Sequence, residues 1–523
     1  MKKFFVTTPI FYVNAFPHLG HAYADLIADV LARYHRIRGE KTFFLTGTDE
    51  HGAKIVRAAE KAGKPVEDFV HARREDFRNL LTLLNASHDA FIYTTDKEHH
   101  WPGVRKVWEK LVANGDLYKS VYKGLYCVGH EAFVTEKDLV NGVCEDHHQK
   151  PELIEEENYF FRLSKYIPQI QEAIESDEFK ILPTERKNEV LAFIGEGVED
   201  ISFSRPSRDI SWGIPVPNDP DHTIYVWADA LTNYISALGY GSSDEKNVAA
   251  FWPADAHIVG KDILRFHAVI WPGILYAVGL PLPKMLYVHG MILSGGQKMS
   301  KTIGNVIDPV EVIKEYGNDA FRYFLMREIP FGKDGDFTME RFKAVYEGSL
   351  AHGLGNLVAR VAAMIQKYAA GTLDRPVEEA LLSVPTKRSL HQEVSKSRFL
   401  LEGESLERYF QYEVFARYEK AMDDFLLTDA ITILWDFFSL LDGYIQDYEP
   451  YTLNKKDPEK TKLVLWNLAI HLIRTAIPLE PFMPQTAEKI YATFGVKRGD
   501  MNPKRIEIGF RETFFPSHGV RAH

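Results

Sequence analysis

The N-terminal segment limits what this chain can fold into more than any other stretch. Residues 3–13 are rich in Phe, Val, Thr and Ile and read as a buried strand. The turn Asn14-Ala15-Phe16-Pro17 follows, and Pro17 cannot continue a ladder but presets a helix start. Apolar residues then recur at Leu26, Ile27, Val30, Leu31 and Tyr34 with a helical period, and Gly39 closes the helix. Thr42-Phe43-Phe44-Leu45 is the next strand, ending in the polar loop Thr46-Gly47-Thr48-Asp49-Glu50-His51-Gly52. Strand, helix, strand, with a polar loop after each strand, is the opening of a doubly wound α/β sheet of the Rossmann type. Such sheets bind ligands at the C-terminal ends of their strands.

Composition sets the outer bounds. The chain has 523 residues, enough for two or three domains, with 45% hydrophobic and 26% charged residues. The formal charge of −11 argues against a generally basic nucleic-acid coat but leaves room for a local basic surface. Two cysteines exclude a disulfide scaffold and fit a reducing cytoplasm. Met1-Lys2-Lys3-Phe4-Phe5-Val6 has the look of a signal-peptide start. Pro9 and Asn14 interrupt it and no cleavage site follows, so a first strand is expected. No apolar stretch long enough to span a membrane is expected elsewhere, and no membrane partner.

Two short motifs suggest phosphate chemistry. His18-Leu19-Gly20-His21 opens the first helix, where backbone N–H groups and the positive dipole end favour anions. Its imidazoles add donors, and Gly20 lets a nucleotide approach the backbone. Alone, the motif is equally a pair of surface histidines, and small nucleotidyltransferases share it. Lys298-Met299-Ser300-Lys301-Thr302 begins 280 positions after His18 and follows Ser294-Gly295-Gly296-Gln297. Its glycines are expected to make a mobile loop, and its lysines bring two cations to neutralise charge on leaving pyrophosphate. Alone, it is a solvated basic turn. Between the motifs, His257-Ile258-Val259 is a strand end, Gly260-Lys261-Asp262 its loop, and a helix runs on through Trp271. No GxxxxGK[ST] loop is present.

In this order the two motifs resemble the signatures of class I aminoacyl-tRNA synthetases. Thr8-Pro9-Ile10-Phe11-Tyr12-Val13-Asn14, the loop at residues 47–52, Val226-Trp227-Ala228-Asp229-Ala230-Leu231-Thr232-Asn233-Tyr234 and Arg265-Phe266-His267 are similar to the methionyl-tRNA synthetase family, and the likeness covers nearly the whole chain. The resemblance implies activation of L-methionine by ATP, with Mg²⁺ carried by the nucleotide, and transfer to tRNA(Met). It implies Asp49 on the methionine ammonium and Ile10, Tyr12, Trp227, Ala230, Leu231, Tyr234 and His267 around the thioether. Gly20, Gly260 and Asp262 would meet ATP, and His18, His21, Lys298 and Lys301 would stabilise the reacting phosphates. Without the resemblance, Trp227 and Tyr234 would read as core packing. A nucleotidyltransferase acting without tRNA and a non-catalytic RNA-binding paralogue are the alternatives.

An inserted connective module is expected at 116–225, between catalytic halves at 1–115 and 226–290. Cys127 and Cys144 each have a histidine three residues later, His130 and His147. Two such pairs could close a tetrahedral Zn²⁺ knuckle. The family's second ligand is usually Cys, so His130 departs from the pattern, and His148 could replace His147. A knuckle that folds without metal is the alternative. The insert has no room for the long editing domain of the leucine, isoleucine and valine enzymes. The first cysteine lies too late in the chain for the cysteinyl enzyme.

Residues 291–340 are expected to be the KMSKT loop and a linking segment, and residues 341–523 a helical bundle. Leu354, Leu357, Val358, Val361 and Ile365 form one apolar stripe, with Asn356 and Arg360 off it, and further stripes run through 421–444 and 463–477. The resemblance implies that this bundle reads the anticodon through Asn356, Arg360 and Tyr451, the last standing where the family usually has Trp. By themselves Asn356 and Arg360 read as a solvated helix face. The chain ends soon after the bundle, so a monomer without the family's optional C-terminal domain is expected.

Overall fold

The computed structural model describes residues 2–127, 132–134, 139–144, 149–299, 305–377, 405–509 and 514–516. The chain divides into two compact units, Met1–Met291 and Ile292–His523.

The first unit is built on six parallel strands: β1 (Lys3–Tyr12), β2 (Lys41–Asp49), β3 (Ala90–Tyr93), β4 (Lys180–Leu182), β5 (Ala256–Gly260) and β6 (Met285–His289). Their order is β3-β2-β1-β5-β6-β4. Phe5, Leu45, Val259, Leu286 and Val288 belong to one buried cluster, as expected of strands covered on both faces. The sheet is built outward in opposite directions from the β1–β5 pair, so the topological switch lies between those two strands. That crevice is where a doubly wound sheet holds its ligand. Pro9 lies within β1, where it has no N–H for the ladder. The β1–β2 register slips between Thr7 and Ile10, which sets Ile10 opposite Gly47 and Tyr12 opposite Asp49.

The insertion contains a four-stranded antiparallel sheet of Leu117–Cys127, Ala132–Val134, Glu152–Phe161 and Ile201–Ser202. One piece of it, β4, returns to the parallel sheet and pairs with β6. Cys127 ends the first antiparallel strand, Cys144 ends the short strand Val143–Cys144, and both are buried. His130, His147 and His148 lie outside the described residues. Among the described residues no group of three or more His, Cys, Asp or Glu is arranged to hold a metal.

The second unit departs from the sequence reading in three places. The segment expected to be a linker holds two helices, Pro309–Tyr316 and Asn318–Glu328. The second buries Phe321, Tyr323, Phe324 and Leu325, and its Arg322 donates to the carbonyls of Phe482 and Pro481 at 2.7 Å. A guanidinium buried this way is a structural bolt, so the segment is part of the unit's core. The Gly295-Gly296 pair, expected to loosen a loop, forms a two-residue hairpin turn between Ile292–Ser294 and Gln297–Lys298. Both glycines have positive φ, at 63° and 72°, which is what such a turn demands. Finally, one helix among the described residues, Pro458–Leu479, is long and apolar enough by composition to cross a membrane. Its most apolar window is 83% buried, because it packs against Asn356–Tyr368, Leu427–Tyr448 and Pro484–Thr493. The stripe from Leu354 to Ile365 is buried as its spacing requires.

Candidate active site

The chain leaves β1 at Tyr12 and starts helix Leu19–Ile37 with His18 as its N-cap. His18 Nδ1 accepts the N–H of Gly20 at 3.1 Å, and His21 Nδ1 accepts the N–H of His18 at 3.1 Å. The two rings stack with centroids 3.7 Å apart. The N–H of His21 is also satisfied, by His18 O at 3.1 Å. The helix N–H groups expected to await a phosphate are therefore largely used up by the cap. What the cap leaves is different. An Nδ1 that accepts a backbone N–H carries no proton, so each neutral imidazole holds its proton on Nε2 as a donor. Burial, helped by neighbouring His18 and His289, holds His21 well below the ordinary imidazole range, so it stays neutral. Gly20 serves this cap directly: a Cβ there would lie 3.0 Å from His18 Cε1.

Across the switch point, β5 ends at Gly260. A Cβ there would lie 2.5 Å from Asp262 Oδ1, so glycine allows the exposed Asp262 carboxylate to fold back over the strand end. Next to β1, β2 ends at Asp49, which is buried. Thr94 Oγ1 and the N–H of His51 lie 3.3 and 3.4 Å from its Oδ1.

The residues that the resemblance implies around the thioether pack in or against the sheet's core. Ile10, Tyr12 and Trp227 are partly buried against the sheet's core cluster, and Ala230, Leu231, Tyr234 and His267 are buried. Trp227 stacks on Phe266 at 3.8 Å with rings 8° from parallel. Its buried indole N–H has no hydrogen-bond partner among the described residues, so stacking holds it. His267 lies in a π-helical turn, Phe266–Ile270, a local distortion common at functional sites. Its Nδ1 is 2.9 Å from the carbonyl of Ile263 and must donate there. Nε2 is then an acceptor, and the Tyr234 hydroxyl, 2.7 Å away, donates to it. Burial pushes His267 down to about 4 and Tyr234 upward, so neither is charged at neutral pH. The result is an aromatic wall of Trp227, Tyr234 and His267 in which neither the hydroxyl nor the imidazole carries a charge.

Lys298 belongs to the second unit, exposed at the end of the hairpin strand. Asn305 Nδ2 lies 3.3 Å from its carbonyl and from that of Ser294. Lys301 lies outside the described residues. In the same unit Asn356 is exposed and opens helix Asn356–Tyr368, directly after a π-helical stretch, Tyr346–Gly355. Arg360 Nη1 is 2.6 Å from Asp442 Oδ1, and Tyr451 is 52% exposed.

The chain matches a family model described as "tRNA synthetases class I (M)" over residues 4–150 and 134–362, and "Anticodon-binding domain of tRNA ligase" over residues 411–507. It is 42% identical to a methionine–tRNA ligase of Thermotoga maritima over 494 residues, 94% of this chain and 75% of that protein. It is 41% identical to that of Brucella suis over 493 residues, 94% of this chain and 91% of that one. The chain belongs to the methionyl-tRNA synthetase family. Among solved structures it resembles Mycobacterium tuberculosis methionyl-tRNA synthetase in complex with methionyl-adenylate, with a TM-score of 0.89 and 34% identity over 99% of this chain and 100% of that one. A nucleotidyltransferase without tRNA would have no reason to match an anticodon-binding domain.

Three buried residues beside the site went unassigned in the sequence: His51, His100 and Asp229. The first and last lie inside segments 47–52 and 226–234, where a carboxylate amid apolar residues is the available signal. Nothing local marks His100.

Proposed function

We propose that this chain is a methionine–tRNA ligase that joins L-methionine to ATP and passes the product to tRNA(Met). The observation that carries this reading is the uncharged wall of Trp227, Tyr234 and His267, together with Asp49 buried at the end of β2. A thioether offers no strong hydrogen bond, so a site that selects it needs aromatic contact and few open polar groups. Tyr234 and His267 meet that need by spending their polar atoms on each other. Asp49 binds the ammonium, and Ile10, Tyr12, Ala230 and Leu231 complete the cage.

The first step is in-line attack of the methionine carboxylate on the α-phosphate, with pyrophosphate leaving. No protein nucleophile is needed, since position and charge stabilisation supply the rate. His18 and His21 present Nε2–H donors to the phosphates, while Lys298 and Lys301 neutralise the leaving pyrophosphate. Gly260 and Asp262 meet the ribose and adenine, and Mg²⁺ enters with ATP as part of the substrate. In the second step a hydroxyl of the terminal ribose of tRNA attacks the adenylate carbonyl, forming the methionyl ester as AMP leaves, and the tRNA anticodon is read by Asn356, Arg360 and Tyr451.

Zn²⁺ is part of the same proposal. Two buried thiols, Cys127 and Cys144, suit a soft-metal site, with His130 and His147 completing the set. The metal would brace the connective module and take no part in the reaction. Two buried thiols also suit the cytoplasm, where they stay reduced.

Methionine-dependent ATP–pyrophosphate exchange, followed by charging of tRNA(Met), tests the assignment. Exchange with methionine and not with leucine, isoleucine or valine is expected. Absence of exchange with retained tRNA binding would replace the ligase with a non-catalytic RNA-binding protein.

A further inference from the structure

A buried carboxylate links the two sides of the pocket. Asp229 lies in helix Val226–Leu231, two residues after Trp227 and one before Ala230, and is 1% exposed. Its Oδ2 is 2.7 Å from His51 Nδ1, and its Oδ1 is 2.7 Å from His100 Nε2. His100 Nδ1 is in turn 2.8 Å from Ser236 Oγ. His51 and His100 are 3% and 0% exposed.

The protons follow from the distances. Both contacts are hydrogen bonds only if His51 carries its proton on Nδ1 and His100 on Nε2. His100 Nδ1 faces the Ser236 hydroxyl. An ionised carboxylate with a donor nitrogen on each oxygen satisfies both contacts. Burial pushes the Asp229 carboxyl up, but the nearby His51 and the hydrogen bonds from both histidines outweigh it and hold the group below the ordinary carboxylate range. Both oxygens are engaged by protein donors and the residue is 1% exposed, so Asp229 is turned to the protein interior.

Its partners lie where they would matter. His51 is two residues past Asp49, and its own backbone N–H points at Asp49 Oδ1. His100 precedes helix Trp101–Ala113, whose Gly103 allows close approach: a Cβ there would lie 2.8 Å from Ser236 Cβ. A buried charge is costly, and apolar residues could hold these segments together at less cost. A carboxylate gripped at both oxygens instead fixes one geometry.

We propose that Asp229 is a positioning residue for methionine: it ties the loop bearing Asp49 to the segment bearing Trp227 and Ala230. The ammonium-binding carboxylate and the thioether cage are thereby held at one separation. This rests on the reading of Asp49 and Trp227 as methionine-binding.

The test measures KM for methionine and for ATP in pyrophosphate exchange, with a melting curve for each full-length variant. His51→Ala and His100→Ala should raise KM for methionine by about tenfold or more, with KM for ATP within about twofold. His51→Asn keeps a donor at the Nδ1 position and His100→Gln one at the Nε2 position, so both should stay near the parent. Lower melting temperatures with unchanged KM for methionine, or equal rises in both KM values, would overturn the proposal and leave a purely structural tie. If the alanine variants do not fold, Asp229→Asn carries the same expectation and the same overturning result. Asp49→Ala separates the two levels. If it leaves KM for methionine unchanged, the site reading fails and the proposal with it. If it raises that KM while the histidine variants do not, only the proposal fails.

Discussion

The Nδ1 of His21 accepts the backbone N–H of His18 at 3.1 Å. With the reciprocal bond from Gly20 to His18, this makes the signature motif its own helix cap. In the proposed mechanism stability and chemistry use opposite edges of the same rings, and amide side chains can divide them. His18→Asn keeps an acceptor where Nδ1 sits but loses the Nε2 donor. It should melt like the parent and lose about 100-fold in adenylation rate. His18→Gln should do the reverse, costing about 1 kcal/mol of stability from the lost cap while retaining part of the rate. Melting curves and single-turnover adenylate formation check this; parallel losses in both variants would contradict it.

Asp25 is a buried group sensitive to alkali. Its Oδ1 accepts from Thr46 Oγ1 at 3.0 Å, yet burial pushes its carboxyl up to about 8, with Asp29 adding to the rise. The folded state therefore keeps a proton that the unfolded chain releases near its ordinary value. The resulting stability is fullest below that value and is lost as pH rises through about 8. Asp25→Asn cannot ionise. In urea unfolding it should gain on the parent by about 1 kcal/mol per pH unit between roughly pH 5 and 8. A pH-independent difference would show that Asp25 is ionised in the fold.

His267 sets an acid limit. Burial holds it at about 4. Its contribution is complete above the ordinary imidazole value and is lost as pH falls from there towards about 4, because only the unfolded chain takes up the proton. Tyr234→Phe should weaken this arrangement at neutral pH by about 1–3 kcal/mol, since it strands His267 Nε2 as a buried acceptor. Histidine proton NMR against pH reads the first expectation, and denaturant unfolding the second.

Arg360 is held by Asp442, whose other oxygen accepts from Gln446 Nε2 at 3.0 Å. Both charges are over a third exposed, so the pair adds little stability and acts to aim the guanidinium. Arg360→Ala should cut tRNA charging by about tenfold or more and leave pyrophosphate exchange within about twofold. Asp442→Ala should produce a smaller loss of the same kind. Equal losses in both assays would remove the anticodon role.

Protein purified without added metal should contain close to one zinc per chain, and chelation should melt the connective module before the parallel sheet. Elemental analysis with thiol titration checks this. Near-zero zinc with both cysteines titrating would show that the module folds without it.

The parallel sheet and its strand-end loops were legible because each depends on local pattern: apolar runs, a proline at a helix start, polar residues after strands. The positions of His18, His21, Asp49 and Asp262 follow from that pattern. The direction their side chains face does not, which is why the cap consuming the helix N–H groups was missed. The Asp229 tie was out of reach for another reason. His100 is 129 positions from Asp229, and only the folded sheet brings them together. The helices at Pro309–Tyr316 and Asn318–Glu328 read as a linker from sequence because the second buries almost every side and so lacks a clean amphipathic period.

The boundary after Met291 determines what a dissected protein would retain. A fragment ending there carries both signature histidines and every residue of the proposed thioether cage but neither lysine of the second motif. The hairpin strand holding Lys298 is stitched instead to Gly335–Asp336, through Ile292–Ser294 and a bond from Gly296 N–H to Asp336 Oδ1 at 3.0 Å. Anyone transplanting both signature motifs would have to carry the chain past Asp336, because the lysines are inherited with the helical half.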